Sequence, residues 1–551
     1  MATDLATGPV PAPAPVATGP APPAEPLHAE RASTGLALRQ IWIGGLVVVA
    51  SLGLLLWAGT TAYRKSAETG GGLMTALASN PAVRAIYGLP TALTTIGGFA
   101  VWRVELFVML LGAVWMTLAT TRVVRGDEES GRLDLVLANP LSLTRSTGAS
   151  LTALLAVPFL AALVVGAVLD GSGAQPAGSW LYGVGIGLLI ATFLAVAALA
   201  SQLVPERRRA TGLAVGVVFV TFVLRMWADG SSSAGWARWL TPFGWVEDLH
   251  AFGGNDLLPL VPLVLAPVVL VAVTFVVARG RDVGAGVIRA DDRKEGGTAL
   301  LSGPLAFAAR RRIGELAGWV AALAVLGVLS GGLAESLVGF PTSQPEATAM
   351  LDRMGMGAAV TPAGFVAIMN VFYAVVLSGY GIASVHGDYE DETTSRLDLP
   401  YSNRVTRTRW AGSTVVTTVA ALAVLTAVLG FATWVASAAA QAGLSAGDSF
   451  ASAANVLAVP ILFLGLAVLL HGLRPSWAVS VTGILAVGLY LVDLIGPALS
   501  WPTWLVDLSP YHHLALVPAE PAAWAPLAVI LGIGLVAGAV GLAAYARRDL
   551  E

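Results

Sequence analysis

The 551-residue sequence contains no cysteine, which excludes disulfide staples, thiolate metal sites and cysteine nucleophiles. Lysine is almost as scarce: Lys65 and Lys294 are the whole supply, and each comes directly after an arginine, Arg64 and Arg293. A P-loop needs a glycine directly before its lysine, because backbone amides and the ammonium cradle the phosphates together. Neither lysine qualifies, so the chain does not bind ATP through such a loop. Charge is thin as well. Only 12% of residues are charged, about half the share found in soluble domains. A net charge of −3 offers no footprint for nucleic acid. No Ser/His/Asp or paired-carboxylate constellation stands out, and an enzyme is not expected.

What the chain has is apolar length. Hydrophobic residues make up 56% and glycines number 62. Twelve segments are long enough to cross roughly 30 Å of hydrocarbon as helices. They lie near 41–59, 98–121, 149–169, 180–204, 210–228, 259–278, 313–333, 362–385, 412–436, 452–471, 477–496 and 524–545. The expected fold class is therefore an all-α polytopic membrane protein with twelve transmembrane helices. Residues 1–34 are rich in proline and alanine and are expected to be a disordered tail. The first basic residue is Arg31, so the tail lacks the basic start of a signal peptide.

Basic residues set the orientation. With the amino terminus inside, 24 of the 31 lysines and arginines fall in the tail and inner loops. Only Arg64, Lys65, Arg84, Arg103, Arg225, Arg238 and Arg353 stay on the outer side. Both termini are thus expected in the cytoplasm, and the protein in a plasma membrane.

An internal repeat divides the chain. Aligned on RLDL, positions 132–148 match 396–412 at eight of 17 sites, among them Arg132/Arg396, Leu133/Leu397, Asp134/Asp398 and Leu135/Leu399. A second echo pairs WARWLTPFGW (236–245) with WPTWLVDLSPYHH (501–513). An even number of crossings per copy makes the repeats parallel, related by an axis along the membrane normal. The expected organisation is a tail (1–34), a first six-helix half (35–285), a linker (286–312) and a second half (313–551).

The repeated inner segment opens on acids: Asp127, Glu128 and Glu129 in one copy, Asp388, Glu390, Asp391 and Glu392 in the other. Leucines among charges come next, Leu133 and Leu135, then Leu397 and Leu399. Acidic residues contribute little to orientation, so they need another reason. A charged helix with a leucine face suits docking into a groove on a partner protein.

The stretch RGDEESGRLDLVLANPLSLTR (125–145) resembles the inner-loop signature of type-2 ATP-binding-cassette permeases, in the subgroup that exports polyketide antibiotics of the tetronasin type. The likeness extends over nearly the whole chain after residue 35, including NPAVRAIYGLP (80–90) and the Trp/Pro-aromatic patches. It implies a fused double-length permease, since members of this family are usually half-length and dimerise. It also implies elbow helices near 28–40 and 300–312, coupling helices at 125–145 and 386–409, and re-entrant hairpins near 229–258 and 497–522. Two copies of a separate nucleotide-binding ATPase would grip the coupling helices at Asp127, Glu128, Glu129, Arg132, Leu133, Leu135, Asp388, Glu390, Asp391, Glu392, Arg396, Leu397 and Leu399. ATP and Mg would be bound by that partner, with no cofactor in this chain. The cargo would be a hydrophobic or amphipathic small molecule moved outward across the bilayer.

Charges within spans are costly. Arg103, Glu105 and Asp229 are expected to snorkel to the outer interface. Arg225 and Asp493 sit at similar depth in the fifth and eleventh spans, which makes them candidates to pair at an outer gate. Phe222, Met226, Trp227 and Tyr490 are candidate pathway-lining residues, with packing against neighbours as the competing use. His512 and His513 read as hairpin residues rather than metal ligands. Gly534 and Gly538 fit close helix packing. The rival function is an ion-gradient-driven twelve-helix transporter, which calls for acidic or histidine residues near the midplane and a basic loop after the second span.

Overall fold

The computed structural model describes residues 26–66, 80–133, 142–231, 233–288, 300–339, 360–393, 406–499 and 501–548. Among them twelve helices are long and apolar enough to cross a membrane. In order these are α1 (Ser33–Arg64), α2 (Ile96–Glu129), α3 (Leu143–Gly171), α4 (Pro176–Leu203), α5 (Arg207–Gly230) and α6 (Leu260–Arg279). The series continues with α7 (Pro304–Leu337), α8 (Pro362–Val385), α9 (Arg407–Ala439), α10 (Ala446–Leu473), α11 (Pro475–Pro497) and α12 (Trp524–Arg547). Each overlaps one of the twelve apolar segments read from the sequence. No strand occurs among the described residues.

Helix starts reflect local chemistry. Proline opens α4 and α7, where its missing N–H is no loss. Thr95 and Ser142 cap α2 and α3 through their hydroxyls, and Ser445 with Asp448 forms a capping box on α10. Both α3 and α10 break after three turns, at Leu155 and at Val456–Leu457. The cause is Pro158 and Pro460, which cannot donate to the carbonyl four residues back.

Two expectations at the helix starts need correction. Residues 26–34, read as disordered tail, belong to a continuous helix Pro26–Ser66. The elbows likewise are not separate elements, since 28–40 leads straight into α1 and Pro304 begins the helix that runs to Ala334. No proline or glycine cap interrupts either stretch, so the amphipathic turns propagate into the apolar ones.

In the first six helices α4 is central, packing on α2, α3 and α6, while α1 packs on α2 and α3. The contacts recur in the second six: α10 on α8 and α12, and α7 on α9 and α8. Between the sets, α1 touches α11 and α5 touches α7, two contacts that exchange when the sets are swapped. Valines and leucines of α6, among them Val264, Val268 and Val276, are exposed, as a lipid-facing surface requires. The glycines that let α10 and α12 approach are Gly465, Gly534 and Gly541. A Cβ on Gly465 would collide with the Gly534 carbonyl, and one on Gly541 with the backbone of Val468 and Leu469. Gly538 meets nothing closer than 3.7 Å, so the tight pair is Gly534/Gly541, two turns apart, rather than Gly534/Gly538.

Candidate functional site

The base of α2, at the end of the bundle where α1 begins and α12 ends, is built around a change of helix type. The α-helix runs to Thr121, then opens into a π-turn at Arg122–Gly126 before a last turn Asp127–Glu129. A π-turn adds a residue to the turn and so resets which residues beyond it face inward, and successive acids, about 100° apart around a helix, cannot both face in. Glu128 points inward, 6% exposed, while Glu129 is exposed. The Glu128 carboxylate accepts from Arg281 at 2.6 Å on both oxygens, from Arg125 Nη1 at 2.8 Å and from the Gly284 amide at 2.6 Å. Such charge-assisted, bidentate bonds are the strong ones. Arg125 reaches on to the carbonyls of Pro205, Gly284 and Ala285, and Arg281 to Gln202 Oε1 at 2.7 Å. One carboxylate therefore clasps the base of α2 to the α4–α5 turn and to the strap after α6. The Ile288 amide adds a bond to Leu203 O at 2.8 Å. Gly284 sits at φ +81°, and a Cβ on Gly286 would press on the Pro205 nitrogen at 2.7 Å, so this strap requires glycine at both places.

The remaining acids split in role. Asp127 accepts from Gln40 Nε2 at 2.8 Å and pairs with the exposed Arg132 at 3.2 Å. Glu129 accepts from the Arg207 amide at 3.0 Å. Glu128 is thus an internal clasp and not an offered handle, and Leu133 is buried against the protein rather than presented as part of a leucine face. Of the described residues expected to grip the partner, Glu129 and Arg132 are the exposed ones. Leu135, Arg396, Leu397 and Leu399 lie outside the described residues. The backbone of Asp388, Glu390, Asp391 and Glu392 continues the helix Pro362–Thr393, and their side chains lie outside the description.

At the opposite end, residues between α5 and α6 fold back as a hairpin: a 3₁₀ turn Gly235–Leu240, then a short helix Pro242–Glu247 capped by Thr241. Phe243 wedges between Phe193 of α4 and Phe222 of α5, with ring centroids 5.2 and 5.6 Å away. The hairpin delivers Glu247 to Arg225. The Arg225 guanidinium, 1% exposed, forms an ion pair with Asp229 at 2.8 Å and donates to Glu247 Oε1 at 2.6 Å and to the carbonyls of Ala85 and Ile86 at 3.2 and 3.1 Å. Arg238 pairs with Asp248 at 2.9 Å. Burial pushes the Asp248 carboxyl above the usual range, against the opposing pull of Arg238.

This geometry overturns the proposed gate pair. Arg225 is taken by its own neighbours, while Asp493 accepts the Nδ1 of His512 at 2.9 Å. Glu105 and Asp229, expected at the interface, are 5% and 0% exposed because the hairpin covers them. Arg103 lies 5.9 Å over the Tyr87 ring. Phe222 and Met226 are buried, Phe222 against the hairpin, whereas Trp227 is exposed and sets its edge against Trp236.

Tyr490 holds the junction of the two helix sets. Its ring lies 6.1 Å from Phe107 of α2, 6.2 Å from Phe372 of α8 and 5.4 Å from Tyr511 of the second hairpin. A polar contact joins the sets nearby. Asn80, which caps the short helix Pro81–Tyr87, donates to Ser336 O at 2.9 Å and accepts from Ser336 Oγ at 3.0 Å. No motif singles out Arg281 or Ser336, and Asn80 enters only as the first residue of NPAVRAIYGLP.

A family model described as the C-terminal domain of the multidrug efflux system permease Rv1217c matches residues 94–279 and 301–546. The chain is also 29% identical over 489 residues to the multidrug efflux system permease protein Rv1217c of Mycobacterium tuberculosis (strain ATCC 25618 / H37Rv), covering 86% of each.

Proposed function

The chain belongs to the Rv1217c family of multidrug efflux permeases, and from that premise we propose that it is the membrane subunit of an ATP-driven exporter. It would move amphipathic drugs of the polyketide (tetronasin-type) class out of a bacterium, from a plasma membrane with both termini in the cytoplasm. Two six-helix halves, 35–285 and 313–551 about the linker 286–312, would rock against each other around the junction at Tyr490. Two copies of a separate nucleotide-binding subunit would supply the energy, binding ATP and Mg that this chain has no P-loop to hold.

The observation that carries this reading is the base of α2. Glu129 and Arg132 stand outward on the protein's own rigid clasp, Glu129 just ahead of the duplicated RLDL segment and Arg132 its first residue. A push there is transmitted by Glu128, Arg125 and Arg281 into the α4–α5 turn and the strap after α6. That is how a soluble motor can move several helices at once. At the far end, the Asn80–Ser336 latch and the tilted contact of Tyr490 with Phe107 hold the halves closed. Phe107, Phe372 and Tyr490 would contact the cargo when they part, since flat aromatic faces suit amphipathic molecules without demanding one shape.

The test is co-purification. The full chain is expressed with the nucleotide-binding subunit of its exporter, and the complex is isolated from detergent extract. A Glu129→Arg/Arg132→Glu variant should insert and melt as the parent does but lose most of the bound ATPase. Full retention of the ATPase by that variant would contradict the docking assignment.

A further inference from the structure

Three carboxyl groups from three elements meet beside one guanidinium at the tryptophan-rich end of the first half. Glu105 comes from α2, Asp229 from α5 and Glu247 from the hairpin, and they are 5%, 0% and 7% exposed around Arg225 at 1%. Arg238, the second cation, lies 3.6 Å from Asp229 but is bonded to Asp248 at 2.9 Å. With every acid ionised, two arginines would face four carboxylates. A buried carboxylate without a cation takes up a proton instead.

Contacts indicate where that proton sits. Arg225 Nε lies 2.8 Å from Asp229 Oδ2 and 2.6 Å from Glu247 Oε1, so two carboxyls crowd one nitrogen, and a hydrogen on either relieves their repulsion. Both Asp229 oxygens and Glu247 Oε2 have no hydrogen-bond partner among the described residues, Asp229 meeting Arg225 and Arg238 as ion pairs only. Glu105 makes no ion pair or hydrogen bond among the described residues. The small side of Gly88 brings it next to Glu247: a Cβ there would lie 3.2 Å from Glu105 Oε2 and 2.6 Å from Glu247 Oε1. The Tyr182 hydroxyl of α4 is also buried and without a hydrogen-bond partner among the described residues. His250 beside Asp248, Arg84 and Tyr87 on the short helix against α5, and Arg103 over Tyr87 complete the charged and titratable surroundings.

The second half does not repeat the cluster. The spacing that pairs Trp236 with Trp501 pairs Arg225 with Tyr490, and the RLDL offset pairs Glu105 with Met369. At those two places the second half carries an aromatic and an apolar side chain. We propose that Glu105, Asp229 and Glu247 around Arg225 form a proton-binding site, with one acid hydrogen-bonded to another through the proton, present in one half only. Its elements are those that meet at the closed end beside the Asn80–Ser336 latch. When they part, water reaches the acids and the proton leaves to it; closure takes one up again.

Infrared spectroscopy of the full chain in lipid nanodiscs at neutral pH, in H₂O and D₂O, tests this. The parent should show a deuterium-sensitive carbonyl band of a protonated carboxylic acid. The double variant Glu105→Gln/Asp229→Asn leaves two arginines facing Glu247 and Asp248, and should lose that band. Amides copy the shape of the protonated acids, and Glu105→Gln alone touches no ion pair, so the single variant reports whether the fold survives. No such band in the parent, or an unchanged band in the folded double variant, overturns the proposal. The measurement needs neither ATPase nor drug, so its outcome is independent of the exporter reading.

Discussion

Replacing Glu128 by alanine should loosen the base of α2 far more than replacing its neighbour Glu129. The substitution strips two arginines of their shared carboxylate and the Gly284 amide of its acceptor. Removing one partner of a buried ion pair costs about 3–5 kcal/mol, and an orphaned buried amide about 1–3 kcal/mol. Both guanidiniums keep other acceptors, Pro205 O and Gln202 Oε1 among them, which holds the expected total to about 4 kcal/mol, at the lower end of these ranges. Thermal unfolding in detergent, paired with limited proteolysis of the strap after α6, reads this directly. Glu128→Ala should melt several degrees lower and be cut at 281–288, while Glu129→Ala should match the parent in both assays. Equal melting of the two variants, or a larger loss for Glu129→Ala, would refute the clasp. A joint alanine variant at both positions cannot separate docking from folding, because only one of the two acids faces a partner.

Other outcomes rest on the same contacts. Because the chain has no cysteine of its own, Asn80→Cys with Ser336→Cys gives a clean cross-link. Oxidation should stop transport and reduction restore it, and unimpeded transport by the oxidised form would remove the latch. Arg225→Gln leaves Asp229 and Glu247 without their cation and should cost about 3–5 kcal/mol. The exchange Arg225→Asp/Asp493→Arg should recover none of it in the same melting assay. Gly534→Val should abolish folded yield by forcing α12 off α10, whereas Gly538→Ala should express and melt as the parent does.

The twelve helices were legible because their signal is local: length and hydropathy in a single window suffice, and each window met its helix. The duplicated RLDL segments were legible for the same reason. Partners distant in the chain were not. Glu128 reads as one acid among three, and its partner Arg281 lies 153 residues away. The π-turn that rotates it inward leaves no periodic mark. Depth near a span end likewise suggested that Glu105 and Asp229 reach water. That inference fails because TPFGWVED (241–248) folds back over them, and a fold-back is invisible to any scale of hydrophobicity. Arg225 and Asp493 match in depth and are opposite in charge, yet Asp229 one turn away and Glu247 on the hairpin already claim the arginine. An unusual count of acids beside one arginine, on α2, α5 and the hairpin, was the available clue.

Energy source decides the account. The chain, reconstituted with its nucleotide-binding subunit into inside-out vesicles, is given a fluorescent amphipathic drug. ATP without any ion gradient should drive accumulation, and a proton or sodium gradient without ATP should drive none. Accumulation by the lone chain on an ion gradient would contradict the claim that an external ATPase moves these helices.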